Sequence, residues 1–213
     1  MTIKEHDFVE IDYTGKLADG TVFDTTVESI AKENKLPSTK FGPATVCVGE
    51  KQLLPGLDDA LAGKEIKKEY TVTLPTENAF GKKDIKKLKI VPMSTYKEND
   101  LRPQPGLQIN VDGEMGTVTR VSGGRVIVNF NHPLAGREVI YTFTVHKQVT
   151  DTKEQLIAFL NTTFQMDPSK MSVEVKEDIA EIKLPTQLPP QFTDAVGQKL
   201  AELTKLKKVT FIS

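Results

Sequence analysis

The chain has 213 residues, 38% of them hydrophobic, and its 28 basic and 29 acidic residues leave a net charge of −1. This length predicts two or three small domains rather than one large core. Near-neutrality argues against a nucleic-acid-binding protein, because phosphate neutralisation needs clustered basic residues, and we interpret the lysine-rich stretches at 64–68 and 82–89 as solvated surface.

Cysteine content and hydropathy indicate where in the cell the protein is expected. The single cysteine, Cys47, rules out a disulfide within the chain, and its strand-like surroundings predict a buried, unreactive thiol. No stretch approaches the roughly 18 apolar residues of a membrane span. Residues 1–7 lack the apolar core of a signal peptide. We therefore expect a soluble cytoplasmic protein.

The first 75 residues predict strands and one short helix. Polar and apolar residues alternate over 7–14, which is typical of a half-buried strand. Asp19-Gly20 is a hairpin turn, and a strand resumes at 21–23. A further strand is expected at 44–48 and another at 69–75. Between them, the spacing of Leu57, Ala60 and Leu61 after Leu54-Pro55-Gly56 predicts a short amphipathic helix.

The composition changes at Lys82. Residues 82–130 are rich in basic residues, prolines and turns, and Ser122-Gly123-Gly124 separates two strand-like runs. This segment is predicted to be a small β unit. Residues 138–147 alternate again and are expected to return to the first sheet. Residues 151–213 show the order α-β-β-α-β, which predicts a small α+β domain.

Two separated motifs resemble the FKBP-type peptidyl-prolyl cis/trans isomerases. The first is the segment from Tyr13 to Thr26, which contains an Asp-Gly turn and a Phe-Asp pair. The second is the segment from Val48 to Leu61, which contains Leu-Leu-Pro-Gly-Leu. The resemblance covers residues 1 to about 150. It implies an α+β fold, in which an antiparallel sheet wraps on a short helix around a small apolar pocket suited to a proline ring.

The resemblance also assigns site residues. Tyr13, Phe23 and Phe143 match the aromatic walls, and Asp24 matches the carboxylate at the pocket edge. Leu57 stands where the short single-domain members carry a tryptophan floor, whereas the SlyD-type and archaeal relatives have an aliphatic residue. The remaining expected site residues are Leu53 and Leu54 beside the floor, Ala79 and Phe80 in a loop, and Leu134 at the rim.

Three details of this assignment matter for function. The Leu54 N–H is expected to hold a substrate carbonyl. Phe80 replaces the tyrosine that the family often has, so a hydroxyl donor is lost there, and Ala44 is smaller than the aromatic often found at its position. A simpler interpretation stays open for each residue: single aromatics and leucines in strands are usually core, and Asp24 can cap a turn.

Residues 82–130 stand where SlyD-type relatives carry an insert-in-flap domain. This resemblance implies a chaperone surface that captures unfolded chains and presents their prolines repeatedly to the pocket. The candidate contact residues are Ile90, Met93, Tyr96, Met115 and Val118. The alternative is that they form the core of the insert itself.

The layout as a whole resembles long-type archaeal FKBPs. It divides the chain into a split isomerase domain (1–81 and 131–150), an insert (82–130) and a separate C-terminal domain (151–213) that suggests a homodimer. The expected partners are unfolded or partly folded polypeptides containing X-Pro bonds. No cofactor is expected, and no metal site, because the three histidines are scattered. Two rivals remain: a non-catalytic holdase that uses the same pocket and insert, and an adaptor role for 151–213.

Overall fold

The computed structural model describes residues 2–37, 41–97, 102–111, 113–184 and 189–212. Its strands in chain order are β1 Phe8–Leu17, β2 Val22–Thr25, β3 Ala44–Cys47, β4 Glu69–Leu74, β5 Leu88–Pro92, β6 Gln108–Val111, β7 Glu114–Ser122, β8 Arg125–Asn129, β9 Val139–Gln148, β10 Ser172–Lys176, β11 Ile179–Lys183 and β12 Lys208–Ile212. Its α-helices are α1 Glu28–Glu33, α2 Pro55–Leu61, α3 Met93–Lys97, α4 Thr152–Phe164 and α5 Pro190–Thr204. None of these helices is long and apolar enough to cross a membrane.

An antiparallel sheet of five strands forms the centre of the first compact unit, which comprises residues 1–74 and 139–213. The strand order is β2-β1-β9-β4, and β3 pairs with the beginning of β1. The alternation in β1 and β9 gives each strand one buried face, as the sequence predicts. The mixed α+β class with antiparallel pairing is confirmed.

Helix α2 begins at the proline of the Leu-Leu-Pro-Gly motif. Proline suits the first turn of a helix, because its φ is already helical and its missing N–H would have no partner there. The helix packs against β4 and buries Leu57 and Leu61. Asp58, only 3% exposed, accepts hydrogen bonds from the backbone N–H groups of Gly49 and Lys51 at 2.9 and 2.8 Å. This buried carboxylate fixes the loop that leads into the helix.

Residues 151–213 have the predicted order of elements but do not stand apart from the first sheet. Strand β11 lies between β10, to which it is antiparallel, and β12, to which it is parallel. The apolar faces of α4 and α5 share one core with Phe8, Cys47 and Val149. The expectation of a separate domain is therefore corrected: the amphipathic elements need an apolar partner, and β1 and β3 supply part of it.

Polar contacts reinforce this docking. The Thr162 hydroxyl donates to the backbone carbonyl of Thr45 at 3.0 Å, and Gln52 Nε2 donates to Thr163 Oγ1 at 2.7 Å. Lys199 Nζ lies 2.8 Å from a Glu50 carboxylate oxygen. Such contacts add orientation to the non-directional burial of apolar surface.

The second compact unit comprises residues 75–138, somewhat more than the predicted insert. Its antiparallel sheet has the order β5-β8-β7-β6, and one face covers a small core. Two of the expected substrate contacts belong to that core: Tyr96 is 4% exposed and Val118 is 0% exposed. The expectation that these two side chains offer a binding surface is corrected, because the small sheet buries them to stabilise itself.

Candidate active site

Strands β1, β2 and β9 bring an aromatic cluster and a carboxylate together in the first unit. The Tyr141 ring centroid lies 5.8 Å from that of Tyr13 and 5.8 Å from that of Phe23, at interplanar angles of 56° and 83°. The Tyr141 hydroxyl donates a hydrogen bond to the Asp24 carboxylate. Three predicted site residues, Tyr13, Phe23 and Asp24, thus meet around a fourth that was not predicted.

A glycine makes this close approach possible. Gly15 is buried on β1 and lies directly opposite Tyr141 in the β1–β9 ladder. A Cβ atom at this position would lie 2.8 Å from Cζ of Phe23 and 2.8 Å from Cζ of Tyr141. The motif therefore needs glycine here because both rings occupy the space of a side chain.

Burial sets the protonation behaviour of the cluster. The pKa of Asp24 is raised, mainly because the carboxyl group is partly buried. Hydrogen bonds from the Tyr141 hydroxyl and the Thr25 backbone N–H lower this pKa but do not cancel the effect of burial. Burial and the nearby Asp24 charge raise the pKa of Tyr13 to about 12. The same two causes raise the pKa of Tyr141. Both tyrosines are therefore neutral hydrogen-bond donors at physiological pH.

The loop before α2 supplies the leucines. Leu53 and Leu54 are half-buried, and Leu57 is 1% exposed in the first turn of the helix. Helix α2 starts after Leu54, so the Leu54 carbonyl accepts from the N–H groups of Leu57 and Asp58. Among the described residues the Leu54 N–H has no hydrogen-bond partner, which leaves it able to donate to a substrate carbonyl.

Phe143 lies in the core rather than beside the carboxylate. It pairs with Tyr13 in the ladder, is 1% exposed, and stacks on Tyr70 with centroids 5.7 Å apart. Tyr141, two residues earlier on the same face of β9, makes the contact with Asp24. The sequence signal was ambiguous, because side chains at i and i+2 of a strand share a face. Tyr141 is therefore the aromatic residue of β9 that contacts Asp24, and the role of Phe143 as a pocket wall stays a prediction.

The loop residues Ala79, Phe80 and Leu134 belong to the second unit. The Phe80 ring stacks on His132, with centroids 4.5 Å apart and planes within 2°. The Leu134 N–H donates to Nδ1 of the same histidine at 3.2 Å. Ala79 and Leu134 are half-buried. The predicted loop residues Phe80 and Leu134 are thus held together through His132, which the sequence analysis did not include.

The remaining insert candidates differ in exposure. Ile90 and Met115 are 62% and 60% exposed, whereas Met93 is half-buried against the core of the second unit. Two exposed apolar side chains were missed: Ile85, at 81%, and Leu88, at 43%. Within the part of the chain that the structure describes, no group of three His, Cys, Asp or Glu side chains is placed to hold a metal ion.

Family models match two parts of the chain. Residues 1–97 match the family described as FKBP-type peptidyl-prolyl cis-trans isomerase. Residues 89–134 match the family described as FKBP26, IF domain. A crystal structure of the three FKBP domains of wheat FKBP73 aligns with 70% of this chain and 41% of its own, at 20% identity and a TM-score of 0.37.

Curated proteins give longer matches. The chain is 29% identical over 156 residues to a probable FKBP-type 16 kDa peptidyl-prolyl cis-trans isomerase of Pseudomonas fluorescens, covering 71% of this chain and 92% of that protein. It is 26% identical over 160 residues to SlyD of Vibrio cholerae, covering 73% of each. The short-type peptidyl-prolyl cis-trans isomerase of Methanocaldococcus jannaschii is 36% identical over 145 residues, which are 67% of this chain and 92% of that protein. Since this identity spans nearly the whole of the relative, the chain belongs to the FKBP-type peptidyl-prolyl cis-trans isomerases.

Proposed function

We propose that this chain catalyses cis/trans isomerisation of X-Pro bonds with the cluster of Tyr13, Phe23, Asp24 and Tyr141 and the leucines that precede and begin α2. The observation that carries the proposal is the Asp24 carboxylate, held by the Tyr141 hydroxyl among three aromatic rings. In this reaction Tyr141 is a positioning residue, because its hydroxyl acts through Asp24.

The chemistry needs no nucleophile. Rotation about a peptide bond costs about 18–20 kcal/mol, because it breaks amide resonance, and X-Pro exchange takes tens of seconds or more. The twisted amide has less charge separation than the planar one, so an apolar pocket destabilises the planar ground state more than the transition state. The Leu54 N–H holds a substrate carbonyl in place, and Asp24 interacts with the polarised amide at the pocket edge.

The second unit is proposed to capture unfolded polypeptides. Ile85, Leu88, Ile90 and Met115 support this role, because four large apolar side chains at 43–81% exposure lie within one small unit, and groups of exposed apolar side chains mark interaction surfaces. Capture would raise the effective concentration of prolines near the pocket of the same chain. The substrates are unfolded or partly folded chains that contain X-Pro bonds.

Refolding of a protein limited by a trans-to-cis prolyl step tests both parts of the proposal. The full chain is expected to accelerate this step at catalytic amounts, and Asp24→Ala is expected to remove most of the acceleration. Ile85→Ser with Ile90→Ser should slow protein refolding but leave isomerisation of a tetrapeptide unchanged. Ala18→Ser with Ala62→Ser, at exposed sites in the first unit, is the matched control.

Two other results would decide against catalysis. Suppressed aggregation without any acceleration would identify a non-catalytic holdase. Full activity of Asp24→Ala would remove the carboxylate from the mechanism.

Assembly and location complete the proposal. A homodimer through residues 151–213 draws support from the exposed Ile179 and Ile212 in the three-stranded sheet, and equilibrium sedimentation of the full chain measures it directly. A monomer at micromolar concentration would reject it. We further propose that this is an archaeal protein, which the relative from Methanocaldococcus jannaschii supports, and that it works in the cytoplasm. Fractionation of the source cells tests this location.

A further inference from the structure

One face of the sheet in the second unit carries exposed apolar side chains beside arginines. Ile127 pairs with Ile90 on β5 and with Arg120 on β7, and Arg125 pairs with Pro92. Directly paired residues project to the same side of a sheet, so these side chains share one face. We call this surface the outer sheet face and define it by its apolar and basic members, which are Leu88, Ile90, Met115, Arg120, Arg125 and Ile127.

The positive charge of this face is not neutralised within it. Its other paired members are neutral (Pro92, Gln108, Asn110, Thr117, Ser122 and Asn129), and none of its described residues is acidic. Arg120 and Arg125 are exposed, and neither has a carboxylate within ion-pair distance in the described ranges. Lys89 and Glu114 form an ion pair at 3.2 Å. Each is adjacent in its strand to a residue of the outer sheet face, so both belong to the opposite face.

The turn that leads into β5 extends the same pattern. Ile85 is 81% exposed and lies between the exposed lysines Lys83, Lys86 and Lys87, which have no ion-pair partner among the described residues. The one acidic side chain of the turn, Asp84, accepts a hydrogen bond from the Lys86 backbone N–H at 2.8 Å.

The charge of the whole unit is unlike that of the rest of the chain. Residues 75–138 contain ten basic and seven acidic residues, a net charge of +3. The other residues contain 18 basic and 22 acidic ones, a net charge of −4. The apolar side chains proposed for capture are therefore concentrated on the positive part of the molecule.

We propose that the outer sheet face and the adjoining turn select unfolded polypeptide segments in which apolar side chains alternate with aspartate or glutamate. This inference rests on the proposed capture function and specifies its substrate class. Opposite charges accelerate encounter, whereas unneutralised arginines and lysines repel segments rich in basic residues. Nucleic acid fits the face less well, because none of its described side chains is aromatic and base stacking needs aromatic rings.

The test compares two labelled peptides of the same length without proline. Both carry the same alternating leucine, isoleucine and valine residues, separated by glutamate in one peptide and by lysine in the other. Binding to the full chain is measured by fluorescence anisotropy. At low salt the glutamate peptide is expected to bind at least about tenfold more tightly, and the ratio should shrink in 1 M salt, where charges are screened beyond about 3 Å.

Charge-reversed variants locate the effect. Arg120→Glu with Arg125→Glu should reduce the preference about tenfold, because reversal turns the attraction of two exposed charges for the peptide into repulsion. The milder Arg120→Gln with Arg125→Gln should give an intermediate ratio. Lys153→Glu with Lys183→Glu changes the net charge equally at exposed sites of the first unit and should leave the ratio unchanged. Circular dichroism confirms that each variant is folded.

Each outcome separates this inference from the function on which it depends. Equal binding of both peptides would keep capture and overturn charge selection. Binding of neither peptide would overturn capture and selection together, while tetrapeptide isomerisation still reports on the pocket. Stronger binding of phosphatidylglycerol vesicles or of single-stranded DNA than of the glutamate peptide would overturn the assignment of a polypeptide partner.

Discussion

Phe143→Ala is expected to lower the free energy of unfolding by about 3–5 kcal/mol, because it removes a fully buried aromatic ring. The ring is 1% exposed and stacks on Tyr70, so its loss leaves a cavity between β9 and β4. Guanidinium unfolding followed by circular dichroism measures the change. At a temperature where the variant stays folded, kcat/KM for a tetrapeptide should remain within about threefold of the wild type.

Tyr141→Phe is the matched counterpart on the same face of β9. It keeps the ring and removes the hydroxyl that holds Asp24, so kcat/KM should fall about tenfold, which corresponds to one hydrogen bond to a charged group. The sign of the pH effect follows from the contact: this hydrogen bond lowers the pKa of Asp24, so its loss raises that pKa further. Activity that needs the carboxylate would then be lost at a higher pH as the solution is acidified. Unchanged stability with abolished activity in Phe143→Ala would reverse the two roles.

Leu160→Ala is expected to lower the free energy of unfolding by about 2–5 kcal/mol, and to do so beyond the helix that carries it. Leu160 is 0% exposed on α4, in the core that also contains Phe8 of β1 and Cys47 of β3. Because one core joins these elements, amide hydrogen exchange should quicken in β1 and β9 as well as in α4.

The control for this experiment lies next to Leu160 on the same helix. Asn161 is exposed, so Asn161→Ala should change stability by no more than about 0.5 kcal/mol. If Leu160→Ala accelerated exchange in 151–213 but left β1 and β9 protected, those residues would be an independent folding unit, as the sequence alone predicted.

The sequence predicted most elements because local rules decide them. Alternation over β1 and β9, the Asp-Gly and Gly-Gly turns, and the proline that begins α2 are local features that act over a few residues. The resemblance of the two motifs also predicted that Tyr13, Phe23 and Asp24 belong to one pocket. Their meeting depends on the pairing of β1 with β2, which the short hairpin between them enforces.

Only the tertiary structure decided which aromatic residue serves Asp24. Tyr141 and Phe143 occupy the same face of one strand, and periodicity treats them alike. The ladder places Tyr141 opposite Gly15, where the absence of a Cβ lets it reach Phe23 and the carboxylate, whereas Phe143 lies opposite Tyr13 and stacks on Tyr70. The residue that lies opposite Tyr141 is set by the register between two strands. The pattern of polar and apolar residues in one strand does not show that register.

The same reasoning applies to the surfaces. An amphipathic pattern shows that α4 must bury one face, but not that β1 and β3 help to cover it. The sequence shows that Val118 and Ile90 are apolar but not which of them is buried. Pairing in the second sheet buries Val118 in the core of that unit and leaves Ile90 exposed, on the face that carries the arginines. The sequence by itself determined the elements and the family, and it predicted Tyr13, Phe23 and Asp24, which the structure brings together. Long-range pairing decided which of those side chains meet and which face outward, because burial depends on neighbours that are distant along the chain.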